Sequence, residues 1–113
     1  SGLGWIKADC RLINGAGQGL RVPHMGWNQV IIRKSNPYFD DTLDEQRFYF
    51  VHSYAVYCDN PSDILTSTHY AGEFTSAYEV GNLIGVQFHP EKSHKFGASF
   101  FRNYAMVHGL LNE

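Results

Sequence analysis

The segment Gly85-Val86-Gln87-Phe88-His89-Pro90-Glu91-Lys92-Ser93 joins an apolar, strand-like run to the start of a helix. Pro90 ends the strand because proline cannot donate to a sheet ladder, and it holds the preceding residue extended. Residues two apart in an extended segment point to the same side, so we expect His89 and Glu91 to lie close together. A carboxylate beside an imidazole selects its tautomer and stabilises its protonated form. His89 and Glu91 are therefore the candidate base and orienting acid of a nucleophilic site. In a simpler interpretation, His89 merely ends the strand and Glu91 opens the helix, where a carboxylate suits the helix dipole.

The chain on both sides of this segment predicts a β-rich domain that ends in one long helix. Runs of branched and aromatic residues predict strands, and a Gly-Asn pair at residues 81–82 predicts a tight hairpin. The predicted strands cover residues 29–33, 47–53, 54–58, 64–69, 73–79 and 83–88, and a turn is predicted over 23–28. Ser93 is the predicted N-cap of the helix, which runs to about His108 and stops before Gly109. Its predicted apolar face consists of Phe96, Phe100, Phe101, Tyr104 and Val107.

Length, composition and charge exclude several classes of protein. The 113 residues suffice for one domain, and 43% of them are hydrophobic, which is enough for a packed core. A formal net charge of −2 without any Lys/Arg run argues against nucleic-acid or anionic-membrane binding. No apolar stretch approaches the roughly 20 residues of a membrane span, and the first residues do not form a signal peptide. Two cysteines do not make a disulfide framework, so we expect a cytoplasmic protein.

The His-Pro-Glu segment resembles the motif of class I (triad-type) glutamine amidotransferases, in which it completes a Cys-His-Glu triad. Three further features are similar to the glutaminase subunit of imidazole glycerol phosphate synthase: residues 23–28 (Pro-His-Met-Gly-Trp-Asn), residues 49–54 (Tyr-Phe-Val-His-Ser-Tyr) and the extension to Lys92-Ser93. The resemblance covers residues 2–104. It implies an α/β fold, with residues 1–113 forming the β-rich C-terminal half of a flavodoxin-like amidotransferase domain that ends in a long helix.

The resemblance also implies roles for individual residues. His89 would activate the cysteine and then protonate the departing ammonia, and Glu91 would orient His89. The amino-acid end of glutamine would lie near His52, Ser53 and Tyr54. The residues that would face a (β/α)8-barrel synthase, to which ammonia passes, are Pro23, His24, Met25, Gly26, Trp27, Asn28 and Lys92. The implied product is imidazole glycerol phosphate in histidine biosynthesis, and no cofactor or metal is implied.

Simpler roles exist for several of these residues when each is considered alone. Met25 and Trp27 suit a core as well as an interface. His52 suits a hydrogen-bonded sheet position, and Tyr54 suits packing.

The sequence contains no counterpart of the family's nucleophile. That cysteine lies on a tight Gly-x-Cys-x-Gly elbow, which exposes the thiol beside backbone N–H groups. Cys10 and Cys58 both lack flanking glycines. We therefore expect the elbow to lie upstream of Ser1, in a missing N-terminal half of the same domain, and we expect this chain alone to be inactive.

Three other functions are compatible with parts of the sequence. The chain could be an inactive docking module that keeps only the partner surface. It could belong to the paralogous subunit that supplies ammonia to sugar-modifying enzymes of surface-polysaccharide synthesis. A metal enzyme is suggested superficially by His89, Glu91 and His94, but the spacing of ligands that converge in zinc sites is absent.

Overall fold

The computed structural model describes residues 8–13, 23–39, 46–81 and 83–109 of the chain. These ranges contain seven β-strands: β1 (Ala8–Leu12), β2 (His24–Ile32), β3 (Gln46–His52), β4 (Tyr54–Cys58), β5 (Ile64–His69), β6 (Glu73–Val80) and β7 (Leu83–Val86). They also contain one α-helix, α1 (His94–Val107), and two single 3-10 turns, Pro61–Asp63 and Pro90–Lys92. The predicted sequence of strands followed by a long helix is confirmed.

The strands form one sheet in the order β1-β4-β6-β5-β2-β3, with β7 paired to β6. Each ladder that joins the described strands is antiparallel. The predicted α/β class is confirmed: most of the structure is β-sheet, and a long helix follows it. The parallel ladders typical of a doubly wound sheet are not among the pairings of these strands.

The predicted turn over residues 23–28 is wrong, because β2 already begins at His24. This first half of β2 pairs with β3, where His24 lies opposite His52 and Trp27 lies opposite Tyr49. Local sequence suggested a turn because of Pro23, Gly26 and Asn28. The long-range ladder with β3 overrides that preference.

Between β3 and β4 the chain bends at a single residue, Ser53, and changes its pairing partners. β3 pairs with β2, whereas β4 pairs with β1 and β6. The carbonyl of Ser53 accepts a hydrogen bond from the Ile13 N–H at 2.8 Å. This bend places the end of β3 and the start of β4 at one point of the sheet.

The chain after β7 crosses from β6 to β3. The β6–β7 hairpin closes as predicted, with Val80 opposite Leu83. The next residues leave β6: Phe88 forms an isolated antiparallel bridge with Phe50, and the His89 N–H donates to the Tyr49 carbonyl at 2.8 Å. The segment that carries His89 is therefore fixed to β3 by backbone hydrogen bonds.

An aromatic cluster packs beneath this crossing. Phe48 and Phe50 of β3 are fully buried, and Phe88 and Phe100 are nearly so. The rings of Phe48 and Phe88 stack at 4.1 Å, and Phe88 meets Phe100 edge-on at 5.8 Å. Such ring pairs contribute about 0.5–1.5 kcal/mol each beyond the area they bury. The cluster ties β3, the His89 segment and α1 to one another.

The helix buries a narrower face than the sequence predicted. Phe100 is buried, and Phe96 and Tyr104 pack against the core. The prediction is wrong for Phe101 and Val107, whose side chains are 49% and 44% exposed. Successive helical residues point about 100° apart, so Phe100 and Phe101 cannot both face the sheet.

Ser93 is the N-cap residue as predicted, but its hydroxyl does not cap the helix. The side chain is fully buried, donates to the His89 carbonyl at 2.7 Å and accepts from the Tyr49 N–H at 2.9 Å. One hydroxyl thus joins β3 to the turn after His89.

We expect Ser93→Ala to lower the free energy of unfolding by about 2 kcal/mol, because it leaves a backbone N–H and a carbonyl without this partner. Urea unfolding followed by circular dichroism measures the change. Ser99→Ala is the matched control, since Ser99 is exposed on α1 and alanine favours helices. Equal stability of the two variants would contradict the role given to the Ser93 hydroxyl.

Candidate functional site

His89 and Glu91 are in direct contact, as the sequence predicted. Nδ1 of His89 lies 2.9 Å from a carboxylate oxygen of Glu91. The backbone explanation needs correction, because only His89 is extended, with φ −102° and ψ 96°. Glu91 belongs to the 3-10 turn Pro90–Lys92, which Pro90 begins, since its fixed φ suits the first position of a helical turn. The turn folds the carboxylate back towards the imidazole.

The contact assigns the proton on the His89 ring. An ionised carboxylate can only accept a hydrogen bond, so Nδ1 of His89 carries the hydrogen and Nε2 keeps a lone pair. The hydrogen bond from His89 lowers the pKa of Glu91, which keeps the carboxylate ionised. Side-chain exposures of 38% for His89 and 57% for Glu91 leave the pair open to solvent. The pair can accept a proton at Nε2 and stabilise the resulting imidazolium.

The position of the turn depends on a helical glycine that sequence reasoning missed. A Cβ atom on Gly97 would lie 1.8 Å from the carbonyl oxygen of Pro90, so no larger residue fits between α1 and the turn. The available signal was the glycine itself, which costs about 1 kcal/mol relative to alanine in a helix interior. Gly97 lets α1 approach the turn that carries Glu91.

The three residues predicted near the amino-acid end of glutamine lie at the bend between β3 and β4. His52 ends β3, Ser53 is the bend, and Tyr54 begins β4 with its side chain 56% exposed. Nδ1 of His52 lies 3.0 Å from the Tyr54 carbonyl oxygen. Burial lowers the pKa of His52; the hydrogen bond to the Tyr54 carbonyl opposes this shift, and the charge of His89 adds to it. His52 ends β3, and the His89 segment is bonded to Tyr49 and Phe50 of β3, so the bend and the His–Glu pair are attached to the same strand.

The predicted interface stretch forms part of β2, in which successive side chains point to opposite faces of the sheet. Met25 and Trp27 point outward with exposures of 60% and 45%, and the Trp27 ring stacks on His94 at 5.5 Å. His24, by contrast, is only 3% exposed. Lys92 is exposed and directly follows Glu91 of the His–Glu pair. Met25 and Trp27 thus lie on the outward face of β2, and Trp27 contacts His94, two residues after Lys92, whereas His24 belongs to the interior.

The structure brings together residues from the predicted interface stretch and from the predicted glutamine site. Nδ1 of His24 lies 2.9 Å from Nε2 of His52, and Nε2 of His24 lies 3.3 Å from the side-chain nitrogen of Asn28. The His24 ring lies between Tyr70 at 4.0 Å and Phe50 at 4.9 Å. Burial, assisted by the field of His52, lowers the pKa of His24 from 6.5 to about 4. Both imidazoles are therefore neutral near pH 7.

Neither a metal site nor a membrane span is found in the described part of the chain. No three His, Cys, Asp or Glu side chains in ranges 8–13, 23–39, 46–81 and 83–109 converge on a point where an ion could bind. Across those same ranges, no helix has the length and apolar character that crossing a bilayer requires.

Together, fold and site define an α/β protein with a carboxylate-oriented histidine of the kind found in nucleophilic triads. Comparison with known families identifies the particular one: the profile described as glutamine amidotransferase class-I matches residues 13–107. The chain therefore belongs to the class-I glutamine amidotransferase family. This confirms the resemblance drawn from the sequence motifs.

Curated relatives share nearly half of the aligned residues. The chain is 47% identical over 103 residues to "imidazole glycerol phosphate synthase subunit HisH 2" of Methanococcus maripaludis and to the subunit of the same name of Pseudomonas aeruginosa. Each alignment covers 91% of this chain and 50% of the relative. Subunit HisH of Brucella melitensis is 42% identical over 107 residues, which are 92% of this chain and 50% of the relative. The chain thus spans about half the length of the curated relatives that it matches.

The low pKa of His24 predicts a loss of stability in mild acid. The unfolded chain takes up a proton on His24 as the pH falls below about 6.5, whereas the folded chain does so only near pH 4. The stabilisation is therefore complete above pH 6.5 and is lost as the pH falls towards 4, by about 3 kcal/mol. Urea unfolding at pH 7, 6, 5 and 4 measures it.

His24→Phe should weaken this pH dependence, because phenylalanine keeps the ring stacking and cannot titrate. His69→Gln is the control, since it removes an imidazole from an exposed position and should keep the loss of stability. An unchanged pH dependence in His24→Phe would show that another group causes it.

Proposed function

We propose that this chain supplies the histidine and the carboxylate of a Cys-His-Glu triad that hydrolyses glutamine to glutamate and ammonia. The observation that carries the proposal is the 2.9 Å hydrogen bond between His89 and Glu91, in a chain of the class-I glutamine amidotransferase family. A triad needs an imidazole whose free nitrogen is basic and whose other nitrogen is held by an acceptor. His89 meets both requirements.

In the proposed reaction, Nε2 of His89 takes the proton of the cysteine thiol, and the thiolate attacks the carboxamide carbon of glutamine. The resulting imidazolium is stabilised by Glu91. His89 then returns the proton to the leaving nitrogen, so that ammonia departs and a glutamyl thioester remains. Water, deprotonated by His89, attacks the thioester, and glutamate leaves as the cysteine recovers its proton.

We propose that the nucleophile is neither of the two cysteines in this sequence. Cys10 lies within β1, and Cys58 ends β4 before the bend at residues 59–60. Neither position is a strand-to-helix elbow flanked by glycines. Burial raises the pKa of the Cys58 thiol, which disfavours the thiolate that attacks. The proposed thiol comes from residues outside this sequence, in the N-terminal half of the same domain.

Glutamine binding is proposed at the bend between β3 and β4. Ser53 and Tyr54 directly follow β3, the strand to which Phe88 and His89 are bonded, and the Tyr54 side chain is 56% exposed. The carbonyls of Ser53 and Tyr54 are bonded to the Ile13 N–H and to His52, which holds the bend in one conformation for a ligand.

The ammonia acceptor is proposed to be a (β/α)8-barrel synthase that forms imidazole glycerol phosphate in histidine biosynthesis, in the cytoplasm. The names of the relatives, subunits of imidazole glycerol phosphate synthase, support this assignment. The proposed contact consists of the exposed residues Met25, Trp27 and Lys92, because exposed Met and Trp are frequent interface anchors. Two alternatives remain: the chain supplies ammonia to a sugar-modifying enzyme, or it docks to a partner without catalysis. The tests below distinguish these alternatives from the proposed function.

We expect no glutamate release from glutamine by this chain alone, and release when it is combined with the half of the Methanococcus maripaludis relative that it does not cover. Turnover by the co-purified complex should fall by roughly 1,000-fold or more in His89→Asn, which removes the base. Glu91→Gln should lower kcat with little change in KM, because the amide no longer stabilises the imidazolium. A glutamate assay measures all three.

Release by the isolated chain that disappears in Cys10→Ser/Cys58→Ser would overturn the proposed origin of the nucleophile. A co-purified complex without turnover would contradict the proposed hydrolysis and favour a docking module.

Trp27→Ala should weaken binding to the barrel subunit by about 2 kcal/mol or more, the loss typical of an interface anchor, without a comparable loss of stability. Binding to the purified barrel subunit is measured by calorimetry. Leu83→Ala is the matched control, because Leu83 is an exposed apolar residue on β7. Equal effects of the two substitutions, or no binding by the unaltered chain, would contradict the proposed surface.

A further inference from the structure

The interior histidine of β2 is connected to the proposed glutamine site by a continuous row of hydrogen bonds. His24 and His52 are cross-strand partners on β2 and β3. The row runs from the Asn28 side chain to His24, from His24 to His52, and from His52 to the Tyr54 carbonyl, with spacings of 3.3, 2.9 and 3.0 Å.

The end of the row fixes the proton on each ring. A carbonyl oxygen can only accept, so Nδ1 of His52 must carry a hydrogen, and its Nε2 is then an acceptor when the ring is neutral. Nδ1 of His24 must therefore donate to His52, which leaves Nε2 of His24 to accept from the Asn28 amide. Every hydrogen bond in the row then points from Asn28 towards Tyr54.

Asn28 is held in the matching orientation by its own backbone surroundings. Its side-chain nitrogen also donates to the His69 carbonyl at 3.1 Å, and its side-chain oxygen accepts from the Gln29 N–H at 2.8 Å. The two hydrogens of the amide therefore serve His24 and His69, and a flipped amide would lose both bonds.

The His24 ring cannot easily turn to break the row. It is stacked on Tyr70 at an interplanar angle of 15° and on Phe50 at 21°, and it is almost completely buried. A buried, sandwiched ring with both nitrogens bonded loses little freedom when a ligand binds, which is the condition for a preorganised site.

We propose that His24 is a positioning residue for glutamine: through His52 it holds the Tyr54 carbonyl, and thereby the bend at Ser53 that receives the substrate. The proposal rests on the proposed function, since Ser53 and Tyr54 bind glutamine only in that function. His24 touches no substrate and acts through His52. If the role of His24 were purely structural, its ring stacking on Tyr70 and Phe50 would account for its whole effect, and loss of its hydrogen bonds would not change KM.

The row can be tested in the isolated chain by determining the tautomers of His24 and His52, and this test requires no activity assay. Two-dimensional ¹⁵N NMR of the histidine rings at pH 7.5 should show both His24 and His52 neutral and protonated at Nδ1. Protonation of His52 at Nε2, or a charged ring at either position, would overturn the row and the proposal with it.

The second test uses the complex assembled for the glutaminase assay. His24→Phe keeps the stacking on Tyr70 and Phe50 but cannot hydrogen-bond, so KM for glutamine should rise about tenfold, the effect of one lost hydrogen bond, while kcat changes less. His24→Gln, which can still donate to His52, should recover part of the loss. His69→Gln, at an exposed side chain, should leave KM unchanged.

The outcomes separate this proposal from the proposed function. If the unaltered complex does not hydrolyse glutamine, the proposed function is overturned. His24 then has no substrate to position, whichever tautomers are observed. Hydrolysis with an unchanged KM in a folded His24→Phe complex overturns the positioning role alone. Should His24→Phe fail to assemble, the ring tautomers of the unaltered chain decide: His52 protonated at Nε2 overturns the role.

Discussion

The attachment of the His89 segment to β3 is the constraint on which the rest of the structure depends. The backbone of His89 and the hydroxyl of Ser93 both bond to Tyr49, and the Phe88 bridge to Phe50 continues the same attachment. Because one strand carries all these bonds, the imidazole, the turn that carries its carboxylate and the start of α1 form one rigid unit. The aromatic cluster beneath them supplies the stability that three polar contacts alone would not.

Two groups of histidines are attached to β3, one exposed to solvent and one more buried. At the crossing, the His89–Glu91 pair is open to solvent, so its imidazole can exchange protons during a reaction. At the end of β3, His24 is buried and His52 is half-buried, and burial lowers the pKa of both imidazoles, so both are neutral near pH 7. The strand thus carries a solvent-accessible imidazole–carboxylate pair at one point and hydrogen-bonded imidazoles at the other.

How much of the site could be predicted depends on the distance along the chain. His89 and Glu91 are two residues apart, and Pro90 between them restricts the backbone, so their contact followed from local sequence. The bond between His24 and His52 joins residues 28 apart and arises from the register of β2 against β3. No local pattern specifies that register. The close approach of Gly97 to Pro90 likewise depends on how α1 packs.

The sequence by itself determined the β-rich order of elements, the long helix, the His–Glu pair and the family, because alternation, proline and glycine act within a few residues. Only the tertiary structure decided that residues 24–28 belong to a strand, that Phe101 points outward, and that the stretch assigned to a partner surface divides into exposed Met25 and Trp27 and buried His24. The physical reason is that burial and strand pairing are set by contacts between distant segments, and these override local preference where the two disagree.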